Sequence, residues 1–375
     1  MRRRSRVIRE DPARRGLLYA GTETGMYVSF DDGAKWDSLR LNLPVVPITD
    51  LAVHKRDSDL VVATQGRSFY VLDDLNVLHQ IKDGTAKGDA YLFTPEPAYR
   101  TAGVTRSRIP AGASIGENPP NGVVLYCYLK DEPKGDTTLE FLDSSGKPLR
   151  KLTPKPKAGL NQFLWDLRLE DATTVPGMIL WAGFTQGPKV APGRYQARLT
   201  VNGKMLTQPI EIRKDPRLTD VSQEDLEKQL ALSIQVRDKL SETHQAILKI
   251  RDVRKQIDEM TARLDAKERK DVIEAGKALA RKLTAIEEEL YQTKNQSNQD
   301  PLNYPIRLNN RLAALYGSIQ SAESAPTRQA QLFYEELATA INRHTQSLRG
   351  LLDSDLSGFN KLAREKDVPP VIVRK

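Results

Sequence analysis

The chain has 375 residues, 39% hydrophobic and 28% charged, with a formal charge of +8. That length predicts two or three domains rather than one core, and the composition excludes disorder throughout. No run approaches the roughly 18 apolar residues of a membrane span, acidic residues interspersed among the basic ones argue against a nucleic-acid groove, and the single cysteine, Cys127, excludes an intramolecular disulfide framework.

In chain order, Met1-Arg-Arg-Arg-Ser-Arg is charged but has no apolar stretch behind it, so it reads as a solvated end and not a secretion signal. Val7-Ile-Arg-Glu-Asp-Pro12 reads as a strand running into a turn. Two strands follow, Leu17–Thr22 and Gly25–Phe30, and then the turn Ser29-Phe-Asp-Asp-Gly-Ala-Lys-Trp36. Each fixed position of that turn has a physical job. Asp31 accepts hydrogen bonds from backbone N–H groups ahead of it, and Ser29 adds a weaker one. Gly33 supplies positive φ, and Trp36 is expected to fold its ring back against the sheet.

A second unit of the same kind comprises Ile48–His54, Asp59–Thr64 and Ser68–Leu72, offset by about forty residues, the length of a propeller blade. Its corner, Asp73-Asp74-Leu75, keeps the acid but loses the glycine and the tryptophan. Residues 94–122 are rich in Pro, Gly, Ala and Ser, with Arg100, Arg106 and Arg108 among them, and read as a linker or a long wrapping loop. From Val123 short strands are expected at Val123–Leu129, Thr137–Leu142, Pro148–Leu152 and Gly159–Trp165. A hairpin then turns on Asn202-Gly203, the strongest short-range hairpin signal. Such a series predicts an antiparallel sandwich of immunoglobulin-like type over 123–214.

Beyond Lys214 the apolar period becomes helical. Ser222 is expected to cap the first helix, with Asp225 at the third position. Val236, Thr243, Ile250, Ile257 and Leu264 recur every seven residues, with Leu240 and Ile247 between them, and give its apolar stripe. Further stripes run over Val272–Leu290 and Leu308–Ile319, and a last helix begins near Pro326. The pattern predicts a four-helix antiparallel bundle over 215–365. The apolar tail over 366–375 is expected to lie against the body.

The Ser29–Trp36 pattern resembles the Asp-box hairpin of sialidase-type and sortilin-type β-propeller repeats. In that family the box (here Ser29, Asp31, Gly33 and Trp36) is a structural staple on the rim of a blade. The whole order resembles large bacterial proteins with sortilin-type (BNR) repeats, often described as glycosyl hydrolase-like. Trp165-Asp-Leu-Arg168, Pro176-Gly-Met-Ile-Leu-Trp181, Ala191-Pro-Gly-Arg-Tyr195, Lys214-Asp-Pro-Arg217 and the stretch 300–310 carry that likeness. The resemblance implies multidomain β plus α architecture, with the last blades of a propeller over 1–93. Two blades cannot close a propeller, which typically needs four to eight. The chain is therefore expected to be a C-terminal portion of a secreted or periplasmic protein.

Catalytic chemistry is sparse. His54, His79, His244 and His344 show no metal-ligand spacing, and His244 falls among packing positions of a helix. Glycosidases need two carboxylates across a sugar-sized gap. Asp31, Asp32, Asp73 and Asp74 sit on turns, where turn formation accounts for the first pair. No phosphate loop, dinucleotide fingerprint or Ser-elbow occurs, and no cofactor or metal is expected. The expected function is a non-catalytic binding or scaffold portion that presents surfaces to protein or glycan. The alternative is the accessory end of a glycoside hydrolase whose active site lies in other blades. Expected partners are protein, glycan, the missing blades or a second copy meeting an open edge.

Overall fold

The computed structural model describes residues 5–81, 88–101, 120–265 and 267–374. Arg2, Arg3 and Arg4, and Arg106 and Arg108 of the expected linker, lie outside the described residues. The chain is mixed β and α and divides into two compact units. The first comprises Met1–Tyr99, Gly103–Asp166 and Gly193–Arg213, and the second Arg100–Ala102, Leu167–Pro192 and Lys214–Lys375.

The first unit opens with β1 (Ser5–Glu10), β2 (Leu18–Thr22), β3 (Gly25–Ser29) and β4 (Asp37–Ser38), an antiparallel meander in that order. Strands β5 (Ile48–His54), β6 (Asp59–Thr64) and β7 (Phe69–Leu72) repeat the meander with three strands. One apolar core serves both sheets, including Leu17, Tyr19, Met26, Ile48, Leu51 and Leu60. Gly21 makes their contact possible. A Cβ there would stand 2.6 Å from Ile48 and 2.8 Å from Val7, well inside van der Waals contact. After β7 the chain enters α1 (Asn76–Gln80) instead of a fourth strand.

The strands β8 (Ala90–Leu92), β9 (Ala98–Arg100), β10 (Val123–Leu129), β11 (Thr138–Leu142), β12 (Pro148–Leu152), β13 (Gly159–Trp165), β14 (Gly193–Val201) and β15 (Lys204–Lys214) build two further sheets. Their orders are β13-β10-β8 and β12-β11-β14-β15-β9. In β10 every second residue is buried, Val123, Leu125, Cys127 and Leu129, as alternation predicts. Trp165 of β13 stacks on Phe141 of β11 with centroids 4.5 Å apart, joining the two sheets. Asn202 and Gly203 both take positive φ, and Val201 pairs with Lys204 across the turn. Two expected boundaries need correction. Part of the linker, Ala98–Arg100, is a strand, and β8, expected at the end of the blades, pairs with β10. Tyr91 lies opposite Tyr128 there, so pairing to a long apolar strand overrides a weak local signal.

In the second unit α2 (Gln223–Thr261), α3 (Lys270–Leu290), α4 (Leu308–Ile319), α5 (Arg328–Gly350) and α6 (Leu356–Glu365) close on one apolar core. Ser222 and Asp225 form the reciprocal capping box of α2. Among the described residues the second unit has five helices, not the expected four, because a π-helical turn at Leu351–Asp355 leads on into α6. Pro326 precedes the helix it was expected to begin; Thr327 caps α5 through Ala330 N–H at 3.1 Å. The segment 167–192, expected inside the sandwich, contributes Ala172 and Val175 to the helical core. The tail does lie on the bundle: Val371 is buried, and Asn360 bonds both its N–H and its C=O.

Gly21→Val should destabilise the first unit by about 1–3 kcal/mol through overpacking, with Gly21→Ala less severe. Urea unfolding followed through the first-unit tryptophans would register this, and wild-type stability in both variants would remove Gly21 as the contact point.

Candidate functional site

The Ser29–Trp36 turn is built from short-range hydrogen bonds. Ser29 Oγ–H donates to Asp31 Oδ1 at 2.8 Å, and the same hydroxyl oxygen accepts Gly33 N–H at 2.9 Å. Asp31 Oδ1 also accepts Lys35 N–H at 2.8 Å. This backbone bond and the Ser29 hydroxyl hold the Asp31 carboxyl below the usual carboxylate range. Asp32 and Gly33 both adopt positive φ, 59° and 90°, which turns the chain back toward β4. Trp36 departs from expectation. Its indole N–H closes on Gly33 C=O at 3.0 Å, and the ring is half-buried over its own turn rather than enclosed against the sheet.

A second polar constellation is buried. Asp11, 3% exposed, accepts Tyr19 O–H at 2.7 Å and pairs with His79 Nε2 at 2.9 Å. Its other oxygen takes the N–H groups of Ala13 and Arg14. Burial works against the charge, but the hydrogen bonds from Tyr19 and His79 outweigh it and leave the carboxyl below its ordinary range. Burial and the Asp11 carboxylate drive the Tyr19 phenol strongly upward. Arg14 Nη1 donates to Leu78 C=O and Ile81 C=O, each at 2.6 Å, closing the C-terminal end of α1. The sequence gives no hint of this clamp, since His79 lies 68 residues from its acid.

The corner after β7 collects acids. Asp74 takes φ 59° and its backbone N–H donates to Asp59 Oδ1 at 3.1 Å. Burial pushes its carboxyl up to about 6; the Asn76 N–H opposes this, and Glu96 and Asp59 add to it. Asp73 rises too, through burial and then Asp59. Close by, His54, Asp57 and Asp59 converge, one ligand atom from each lying within 4.8 Å of the others. Spacing among histidines alone could not find this set, because its carboxylates come from the β5–β6 turn. Its donors are otherwise engaged. Asp57 is bidentate with Arg56 at 2.9 and 2.7 Å and bonds His54 Nδ1 at 3.1 Å.

An open cleft of the first unit has a volume of about 600 Å³, within the range of small-ligand sites. Its floor is β3 and its wall the segment after β4, with Tyr27, Ser38, Arg40, Leu41 and Val45 lining it. An apolar slot sharing Met26, Arg40 and Leu41 continues to Tyr70 and Val71 of β7.

In the second unit His244 is a packing residue. Its Nδ1 lies against Thr173 C=O at 2.5 Å, and burial lowers its pKa. Arg100, also buried, bonds Gln229, Val190 C=O at 3.1 Å and Glu323 at 2.6 Å. Burial pushes the Cys127 thiol up to about 12, so it is no thiolate nucleophile. No described helix is long and apolar enough to cross a membrane.

No family model matches the chain, and no curated protein matches it. Among solved structures it is similar to the extracellular domain of a hybrid two-component system from B. thetaiotaomicron, at 9% identity and a TM-score of 0.17. That likeness covers 58% of this chain and 26% of the other, so the chain spans about a quarter of that protein's length. It is also similar to pT26-6p, at 12% identity and a TM-score of 0.17, over 94% of this chain and 68% of that one. Neither likeness bears on fold or function.

The Asp74 shift fixes a sign. A carboxyl raised on folding stabilises most below its unfolded pKa, and that contribution is lost as pH rises through the folded one. Asp74→Asn should therefore raise Tm at pH 8, leave it unchanged near pH 4, and flatten the dependence between about pH 4 and 6. Melting curves across that range check it; an equal Tm change at both ends would contradict the shift.

Proposed function

We propose that this chain is a non-catalytic binding or scaffold module of a secreted, sortilin-type Asp-box protein. In this reading β1–β4 and β5–β7 are two successive propeller blades, β8–β15 form an immunoglobulin-like sandwich, and the helices form an antiparallel bundle. Two successive meanders support the blades, as does the Ser29–Trp36 turn placed between the third and fourth strands of the first. Two blades alone leave a propeller open. The sandwich is supported by two antiparallel sheets meeting at Trp165 and Phe141.

The observation that carries the functional reading is the cleft on β3. It sets an aromatic ring, Tyr27, and a guanidinium, Arg40, beside hydroxyls of Thr24 and Ser38. Such a lining suits a sugar face and its hydroxyls, or the polar backbone and apolar side chains of a peptide. Asp31, Asp11 and His79 are committed to turn and clamp.

Purified protein titrated calorimetrically with a panel of sialosides and glucan oligosaccharides should bind at least one without hydrolysing it. Tyr27→Ala or Arg40→Ala should weaken binding by about tenfold or more, with an unchanged melting temperature. Turnover of a chromogenic glycoside, abolished by a point mutation in this chain, would overturn the reading.

A further inference from the structure

The second meander ends on a strand edge that is built to pair. Among the described residues no strand lies beyond β7, whereas the equivalent strand β3 is followed by β4. Natural edges are blunted by charge, proline or brevity. The outer strand β4 follows that rule, with two residues, Asp37 and Ser38. Strand β7, though short, carries neither charge nor proline: its residues are Phe69-Tyr-Val-Leu72, with Phe69 72% and Val71 54% exposed.

Register decides which backbone groups face outward. Thr64 N–H donates to Ser68 C=O at 3.2 Å, and the strands pair Val62 with Tyr70 and Leu60 with Leu72. Antiparallel bonding alternates, so those pairs are the mutually bonded ones. The N–H and C=O groups of Phe69 and Val71 therefore point away from β6.

We infer that β7 pairs with β7 of a second copy, antiparallel about a two-fold axis through Tyr70. This inference is independent of the binding reading above. One register satisfies all the outward groups, with Phe69 opposite Val71 of the second copy and Val71 opposite its Phe69. Each of these two pairs exchanges two hydrogen bonds. The two exposed apolar side chains then meet as aromatic–β-branched cross-strand pairs. Charge agrees with the same arrangement. Arg67 and Asp73 flank β7 at opposite ends, both exposed, so two-fold pairing brings each Arg67 to the Asp73 of the other copy. The pairing is isologous, as closed dimers require. A parallel or foreign strand would not make this charge match. Val71 also lines the apolar slot that reaches Leu41, so the contact extends from the edge onto a neighbouring apolar surface.

The paired strand is short, so the dimer is weak and concentration-dependent. Sedimentation equilibrium of the full chain should show monomer and dimer exchanging over about 10 µM to 1 mM. Phe69→Lys and Val71→Lys, each at an exposed position, should weaken dimerisation about tenfold or more while keeping the wild-type melting temperature. Arg67→Asp and Asp73→Arg should each weaken it, and the double variant should restore it. Three outcomes would overturn the inference: a monomer throughout the range, a dimer indifferent to both lysine variants, or loss by single charge reversal without rescue by the double. The last would assign the edge to a different strand.

Discussion

The first unit depends on one buried carboxylate. Asp11 is buried away from bulk solvent, so its charge must be met by protein donors, and it is met by four: Tyr19, His79, and the N–H groups of Ala13 and Arg14. These donors come from the surroundings of both sheets. Tyr19 belongs to β2, whereas His79 belongs to the helix that follows β7. Arg14 answers from the opposite direction, giving its guanidinium to the carbonyls that end α1. The turn after β1 thus holds both the charge and the helix end, and neither sheet can move without breaking the set. Removing one member would leave a buried charge or carbonyl unpaired, which is costlier than losing an ordinary hydrogen bond.

The clamp also determines what the second sheet exposes. Held at His79, Leu78 and Ile81, the chain after β7 is drawn toward the first sheet. It cannot return along β7 as a fourth strand. Among the described residues no strand pairs the outward groups of Phe69 and Val71, and the contact that joins the sheets accounts for it. Rigidity on one side of the repeat and an open edge on the other have one cause.

What was legible in the sequence was local. The Ser29–Trp36 turn, the Asn202-Gly203 hairpin and the Ser222–Asp225 box are all closed by bonds spanning four residues or fewer, or by one pair of positive φ values. A pattern of neighbours can encode such features. Strand β10 was legible as a short apolar run rich in β-branched and aromatic residues, and one of its faces is buried. The clamp was not, because tertiary placement brings its members together, whereas His54, Asp57 and Asp59 meet locally across the β5–β6 hairpin, where histidine spacing alone carries no signal. Strands β8 and β9, three residues each, carry no periodicity and exist only because β10 and β15 offer them an edge. In the helical unit the stripe predicted the core, but not the charges within it. Glu287 is buried and held by Arg251 at 2.6 Å and Arg254 at 2.8 Å. Paired charges of this kind contribute little net stability, yet they penalise any sliding of α2 along α3.

The divergence between the two sheets can be traced to a single backbone decision. Both corners place an aspartate in the left-handed region at φ 59°, Asp32 in the first and Asp74 in the second. In the first, glycine follows, also at positive φ, and two left-handed residues in succession reverse the chain into β4. In the second, Leu75 follows. A leucine in the left-handed region would be strained, and it instead takes φ −68°, ψ −3°, which begins a helix. Its side chain is fully buried, so the apolar core selects the same direction as the backbone. With leucine standing where the first corner has glycine, the chain enters α1 and not a further strand. Helix α1 brings His79 to Asp11, and β7 keeps its edge.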